Sequence, residues 1–145
     1  MAPWEFEHAM ECAVSIQFAW NFWTDVRNWV LDADVESIEL HGEFAAGTCG
    51  VTHSKSSGRI DWRIAQAVPP REAVLYFPAP GALAEFVWTF EEKGERTRIT
   101  QRVCFSGEQA AWYADSIGPA LAAGIPVGMK KLCEAMQAAA RSSPF

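Results

Sequence analysis

Residues 83–105, LAEFVWTFEEKGERTRITQRVCF, hold two runs of alternating apolar and polar residues on either side of a glycine turn. Such alternation is typical of strands that bury one face. The turn around Gly94 therefore predicts a hairpin between the strands Leu83–Glu91 and Arg96–Phe105. In the second strand, we expect Arg96, Arg98 and Arg102 on the convex side, opposite Thr97, Ile99, Gln101 and Val103.

Five more strands precede this hairpin, separated by turn residues or short helices. Four of them are Val35–His41, Gly47–His53, Arg59–Val68 and Glu72–Phe77. The fifth is residues 4–12, in which one face carries Trp4, Phe6, His8, Met10 and Cys12. Short strands with glycine and proline punctuation predict an antiparallel meander.

Helical patterns lie after the first strand and at the end of the chain. Ser15 can cap a short helix that carries Trp20 and Trp23, and Asp25 can cap a second short turn that carries Trp29. From Glu108 to Ala140 the apolar period is helical. One unbroken helix of that length would be about 50 Å long, so we expect a kink or break near Pro126.

Length and composition restrict the class of protein. A chain of 145 residues with 50% apolar and 21% charged residues predicts a single packed domain, 1–145. The net charge of −6 argues against nucleic acid and against an anionic membrane surface as partners. No apolar run is long enough to insert into a membrane, and the first residues lack a signal-peptide pattern, so a cytoplasmic location is expected.

The four cysteines show no Cys-x-x-Cys spacing, and we expect buried thiols rather than disulfides. Cys12 and Cys49 each have a histidine four residues away on the same strand face. Four residues along a strand span about 13 Å, so neither pair can hold an ion by itself. A metal site would need these residues to converge across strands, which the sequence does not show, so we predict no metal site. We also predict no cofactor.

Several stretches, in this order, resemble the START-like, pollen-allergen-like helix-grip superfamily (SRPBCC), in particular its bacterial polyketide cyclase/dehydrase and lipid-transport branch. They are residues 12–20 (CAVSIQFAW) with Trp29, 42–47 (GEFAAG), 68–71 (VPPR), 94–100 (GERTRIT), and Gly118-Pro119-Ala120-Leu121 with Ile125, Pro126 and Leu132. The resemblance implies an α+β helix-grip fold, a curved seven-stranded antiparallel sheet around a long C-terminal helix, with two short helices after the first strand. It also implies a small hydrophobic ligand such as a lipid, polyketide, quinone or plant-hormone-like molecule. It supplies no catalytic residues.

A sheet that curves around one helix leaves inward positions that line a packed core or a pocket. The candidate ligand-binding residues are Phe6, His8, Met10, Val51, His53, Trp62, Ile64, Phe86, Trp88, Gln101, Trp112, Ile117 and Leu121. Each aromatic residue among them has an ordinary core position as its alternative. Asp61 and Arg63 lie opposite the Trp62 face and are expected in solvent.

The sequence leaves three functions open. The first is binding of a small hydrophobic molecule without chemistry. The second is a cyclase or dehydratase in which His8 or His53 moves protons. The third is an interaction module like the co-chaperone branch of the same fold, and a homodimer also remains open. Two titratable side chains converging inside the pocket would favour the enzyme, whereas a lone histidine would favour binding.

Overall fold

The computed structural model describes residues 4–31 and 35–142. Its strands are β1 Trp4–Cys12, β2 Val35–Leu40, β3 Cys49–Ser54, β4 Gly58–Val68, β5 Glu72–Ala79, β6 Ala82–Lys93 and β7 Arg96–Ser106. Its helices are α1 Ile16–Thr24, a 3-10 helix Val26–Leu31, α2 Ala110–Ser116 and α3 Gly118–Ser142. Each predicted strand is present, and its ends differ from the prediction by at most two residues.

All the strands form one antiparallel sheet in the order β1-β7-β6-β5-β4-β3-β2. The predicted hairpin is its longest pairing and runs from Leu83 opposite Ser106 to Lys93 opposite Arg96. Gly94 begins the two-residue turn with a φ of +64°, a conformation that glycine adopts without steric cost. The predicted meander and the α+β class are therefore confirmed.

The two faces of the sheet differ in charge. Cross-strand register aligns inward side chains in rows, one of which contains Phe6, Val103, Phe86, Leu75 and Ile64. The outer face carries ion pairs, including Arg102 with Glu5 at 2.9 Å and Arg59 with Asp61 at 3.0 Å. Because side chains alternate along a strand, this separation of apolar and charged residues decides which face is concave and buried.

Helix α1 covers the concave face near one end of β6. It begins at the predicted cap, where the Ser15 hydroxyl accepts the backbone N–H of Phe18 at 3.1 Å. Trp20 and Trp23 are buried, and each has its ring centroid 5.5 Å from that of Phe90. This capped helix therefore contributes two of its tryptophans to the core.

The 3-10 helix begins at the second predicted cap. The Asp25 carboxylate accepts the backbone N–H of Arg27 at 3.2 Å and also pairs with its guanidinium. These hydrogen bonds hold the pKa of Asp25 below its usual range. Trp29 of this 3-10 helix packs against Trp23 and Trp62, so the short helix closes the concave side above β4.

Helix α3 runs alongside β1 in the same direction. Gly118 packs against the Trp4 indole near its start, and the Gln137 side chain accepts the backbone N–H of Ala13 at 2.8 Å. Twenty helical residues and nine or ten strand residues both span about 30 Å, so the two elements match in length. None of the helices in the described residues is long and apolar enough to cross a membrane.

The helical segment is interrupted earlier than expected. Helices α2 and α3 are separated at Ile117, whereas α3 continues through Pro126. We expected a kink or a break near Pro126, and the break is wrong. Proline removes one helical hydrogen bond, but its neighbours Ile125 and Met129 are buried in the core, and this packing keeps the helix continuous.

Candidate functional site

A cavity of about 200 Å³ lies between one end of the sheet and the junction of α2 with α3. Its sheet wall comes from Ile60, Phe77, Pro78, Ala79, Ala82, Ala84, Phe86 and Phe105. Its helical wall comes from Tyr113, Ile117 and Leu121. Every one of these side chains is apolar or aromatic, so the cavity suits an apolar molecule.

Rigid aromatic contacts support the sheet wall. The Phe77 ring lies edge-on to Phe86, with centroids 4.9 Å apart, and 6.0 Å from the Trp62 indole behind it. Phe105 stacks on Trp4 at 4.9 Å. Because these phenylalanine rings each pack against another ring, the wall is preformed.

Helix α2 is fastened to the turn between β5 and β6 at the edge of the cavity. The Tyr113 hydroxyl donates to the Pro80 carbonyl at 3.0 Å, and the Gln109 backbone N–H donates to the Gly81 carbonyl at 2.8 Å. The phenol of Tyr113 is therefore already engaged, and it presents its ring to the cavity.

Two polar side chains stand on the concave face beyond this cavity. His8 of β1 lies opposite Gln101 of β7, which in turn lies opposite Trp88 of β6. Gln101 is only 8% exposed, and His8 is half-buried. Neither side chain hydrogen-bonds to any residue in 4–31 or 35–142. Both are therefore free to meet a ligand.

Two predicted cavity residues, Val51 and His53, lie on the outer face. Their neighbours Gly50 and Thr52 pair with the inward residues of β4, and Thr52 accepts a hydrogen bond from the Trp62 indole at 3.0 Å. Val51 and His53 must therefore point the other way. The prediction that they face the cavity is wrong.

His53 belongs to an exposed polar cluster on that outer face. Its imidazole Nε2 lies 2.8 Å from one oxygen of Glu39, and the His41 imidazole lies 3.3 Å from the other. Hydrogen bonds from His53 first and His41 second hold the pKa of Glu39 below its usual range. His53 is 38% exposed, so it is a surface residue and not a general base in the cavity.

Trp112 is also placed differently from the prediction. It lies on α2 beside the cavity-lining Tyr113, but it is 59% exposed and points away from the sheet. The prediction that Trp112 faces the cavity is therefore wrong, because α2 is too short and too separate from α3 to continue the apolar stripe of α3. Ile117 and Leu121, on the same predicted stripe, do line the cavity.

The other candidates divide between the cavity wall and the surrounding core. Phe86 lines the cavity. Concave-face positions outside its lining are held by Phe6, Met10, Trp62, Ile64 and Trp88, all packed in or against the core. Asp61 and Arg63 are exposed on the outer face, as expected. The lining residues that the sequence missed cluster around the turn after β5, where Pro78 and Gly81 signal only a loop.

The cysteine thiols lie apart from the cavity. Cys12 and Cys133 are buried between β1 and α3, and Cys49 is exposed. Burial, and then contact with Cys133, raises the pKa of the Cys12 thiol. Within the described part of the chain, no three histidine, cysteine or acidic side chains come together as a metal site.

No family model matches this chain, and no curated protein sequence matches it significantly. Solved structures do match in fold. A protein from Thermus thermophilus superposes with a TM-score of 0.74 at 16% identity, over 96% of this chain and 99% of the other. The allergen Ara h 8.0201 gives a TM-score of 0.75 at 14% identity, over 93% of this chain and 98% of the other.

A third match is norcoclaurine synthase from Thalictrum flavum, solved in complex with dopamine and hydroxybenzaldehyde. It gives a TM-score of 0.75 at 11% identity, over 98% of this chain and 89% of the other. This chain has the helix-grip fold. The architecture implied by the sequence resemblance is therefore confirmed, and the cavity of this helix-grip domain lies between the sheet and the helices at one end.

Proposed function

We propose that this helix-grip domain binds a small, largely apolar molecule in the cavity between the sheet and the α2–α3 junction. The observation that carries the proposal is a cavity of about 200 Å³ with walls that are apolar or aromatic. Burying apolar ligand surface there is favourable by about 25 cal/mol per Å². The preformed aromatic wall adds little ordering cost on binding.

The size of the cavity favours an aromatic metabolite over a lipid or a polyketide. Pockets for drug-sized ligands commonly measure about 300–1,000 Å³, and this cavity, at about 200 Å³, is smaller. A molecule with one ring fits that space, whereas a long acyl chain would need the cavity to widen. The single-ring compounds bound to norcoclaurine synthase, a protein of the same fold, support this size class.

The arrangement of titratable groups supports binding over the cyclase or dehydratase alternative. His8 lies on the concave face, but His53 lies on the outer face and pairs with Glu39. The Tyr113 hydroxyl is engaged by Pro80. Among the described residues, the two candidate histidines therefore cannot act together on one substrate.

The interaction-module alternative rests on exposed apolar side chains on and between the helices α2 and α3. Trp112, Val127 and Ile117 are 59%, 55% and 42% exposed. A surface of this kind could contact another protein. The apolar cavity is the more specific feature, and for that reason we propose small-molecule binding.

Titration with para-xylene tests the proposal, because this probe has one ring and no polar group. We expect a saturable change in tryptophan emission, since Trp62 packs directly behind the cavity-lining Phe77. Ala84→Leu should abolish the change by filling the cavity, and Ala111→Leu, at an exposed position of α2, should not. Equal binding by the wild type and Ala84→Leu would contradict the proposal, as would no saturable binding to the folded wild type.

A further inference from the structure

His8 and Gln101 form a polar pair on the concave face, outside the lining of the proposed apolar cavity. Glutamine can donate two hydrogen bonds and accept two, and imidazole can donate or accept at each ring nitrogen. Neither side chain has a partner in the part of the chain that the structure describes. A polar group on a largely apolar face needs a hydrogen-bond partner, so the Gln101 amide must be met by solvent or by a ligand.

Gln101 faces accessible space although the residue as a whole is enclosed. Every fully buried side-chain nitrogen or oxygen among the described residues has a hydrogen-bond partner. Gln101 is 8% exposed and its amide has no hydrogen-bond partner among the described residues. The amide atoms must therefore belong to the exposed part of the residue's surface. Because Ile99 and Val103, on either side of it along the same face, are buried, that accessible space lies on the concave side.

The polar pair lies within reach of a ligand in the cavity. Gln101 is opposite Trp88, and Phe86, two residues along β6, lines the cavity. Two strand residues span about 7 Å, and directly opposite side chains such as His8 and Gln101 have Cβ atoms about 5 Å apart. The Cβ atoms of Phe86 and Gln101 are therefore about 9 Å apart, so a ring that lies between them can direct its substituent to Gln101, with His8 one strand further.

The concave face offers no permanent charge to balance an ionised ligand. In the described rows from Trp4 to Met10 and across β7 and β6, no inward residue is a lysine, arginine, aspartate or glutamate, and His8 is the one side chain there that can take up a proton. The buried residues of α1 and α3 are uncharged as well. A carboxylate or phosphate placed there would be buried without a counter-ion unless His8 became protonated, and burial of an unbalanced charge is strongly unfavourable.

We propose that His8 and Gln101 form the polar end of the site and select an uncharged ligand that carries a hydroxyl or carbonyl group. This inference rests on the proposed function, since the apolar part of the same ligand occupies the cavity. It narrows the ligand to neutral single-ring phenols, alcohols, aldehydes or ketones. It selects against fatty acids and phosphorylated lipids, whose charge would need a counter-ion.

Calorimetry with three probes of matched shape tests the inference. Para-cresol carries a hydroxyl, para-xylene a methyl group in its place, and para-toluate a carboxylate. We expect para-cresol and para-xylene to bind the wild type, and para-toluate not to bind at concentrations that saturate with para-cresol. Binding of para-toluate as tight as that of para-cresol would overturn the selection of a neutral ligand.

Substitution of the pair gives the second arm of the test. Gln101→Met, which keeps the shape of the side chain, should weaken para-cresol binding about three- to tenfold and leave para-xylene binding unchanged. His8→Leu should show the same selectivity. The matched controls are Gln66→Met at an exposed position and His53→Leu on the outer face, and neither should change the affinity for either probe.

A structural role for Gln101 predicts a different result. In that case Gln101→Met would lower the midpoint of denaturant unfolding and would weaken the binding of para-cresol and para-xylene equally. That result would refute the inference. We expect the midpoint to stay the same, because the Gln101 amide has no partner within the described residues and its removal breaks no hydrogen bond there. If no probe bound the wild type, the cavity itself would be refuted, whereas para-cresol binding that is insensitive to both substitutions would refute only the polar pair.

Discussion

Trp23 and Trp88 are neighbours at the residue scale, with ring centroids 4.9 Å apart, but they are enclosed to different degrees. Trp23 is 3% exposed and also contacts Trp20, Trp29, Phe44 and Phe90. Trp88 is half-buried, so part of its surface has no protein neighbour. Truncation to alanine should therefore lower the free energy of unfolding less at Trp88 than at Trp23, since a side chain with fewer neighbours loses fewer contacts.

Trp23→Ala should lower the free energy of unfolding by about 3–5 kcal/mol, as is usual for truncation of a large core side chain. Trp88→Ala should cost less than that range and should favour longer ligands over para-xylene by enlarging the site. Urea unfolding of both variants and titration with alkylbenzenes of increasing length measure the two effects. A full core-sized loss in Trp88→Ala with unchanged ligand preference would place Trp88 in the core.

At the scale of single elements, glycines differ in what surrounds them. Gly124 and Gly128 lie within α3, and a Cβ added at either position would have no neighbour within 4 Å. Gly50 in β3 lies under the Trp62 ring, and a Cβ there would overlap the indole, 2.6 Å from Cε2. The two helical glycines are conformational weak points, whereas Gly50 makes room for a side chain of the neighbouring strand.

Gly124→Ala and Gly128→Ala should therefore each raise the free energy of unfolding by about 0.5–1 kcal/mol, because alanine loses less backbone entropy in a helix. Gly50→Ala should lower it, since Trp62 would have to leave its place beside Phe77. Denaturant melts of the three variants provide the comparison. A stabilising Gly50→Ala would show that β3 and β4 are not packed in the register described.

At the scale of the whole molecule, the reactivity of the cysteine thiols measures how firmly α3 packs against β1. The Cys133 thiol lies 3.6 Å from the Glu11 carbonyl, and Cys12, the next residue after Glu11, is fully enclosed. Burial raises the pKa of Cys12, which leaves little of the reactive thiolate. Cys49, by contrast, is exposed at the start of β3.

An aromatic disulfide reagent should thus modify Cys49 rapidly in the native protein and Cys12 and Cys133 only at the rate of unfolding. Peptide mass mapping after timed quenching separates the sites, and Cys49→Ser should remove the rapid phase as a control. Modification of Cys133 as fast as Cys49 would mean that α3 leaves β1 readily. A bound ligand should slow the buried thiols further, because it stabilises the folded state.

The sequence alone determined the element order, both helix caps and the inward face of the long strands. Alternation over nine or more residues leaves one choice of face, as in β1 and β7, because a shift by one residue would expose every apolar side chain. Ser15 and Asp25 act through hydrogen bonds to residues two or three positions away. Capping hydrogen bonds between residues so close in sequence can be predicted before any tertiary contact is known.

The tertiary structure alone decided the face of β3, the exposure of Trp112 and the place of the cavity. In β3, Gly50, Val51 and Thr52 are all buried, so the strand has no alternation to follow, and its face is set by the Trp62 indole lying over Gly50. The cavity forms where β5, β6, β7 and the α2–α3 junction fail to fill the space between them. That gap depends on packing between segments distant in sequence, which no local pattern records.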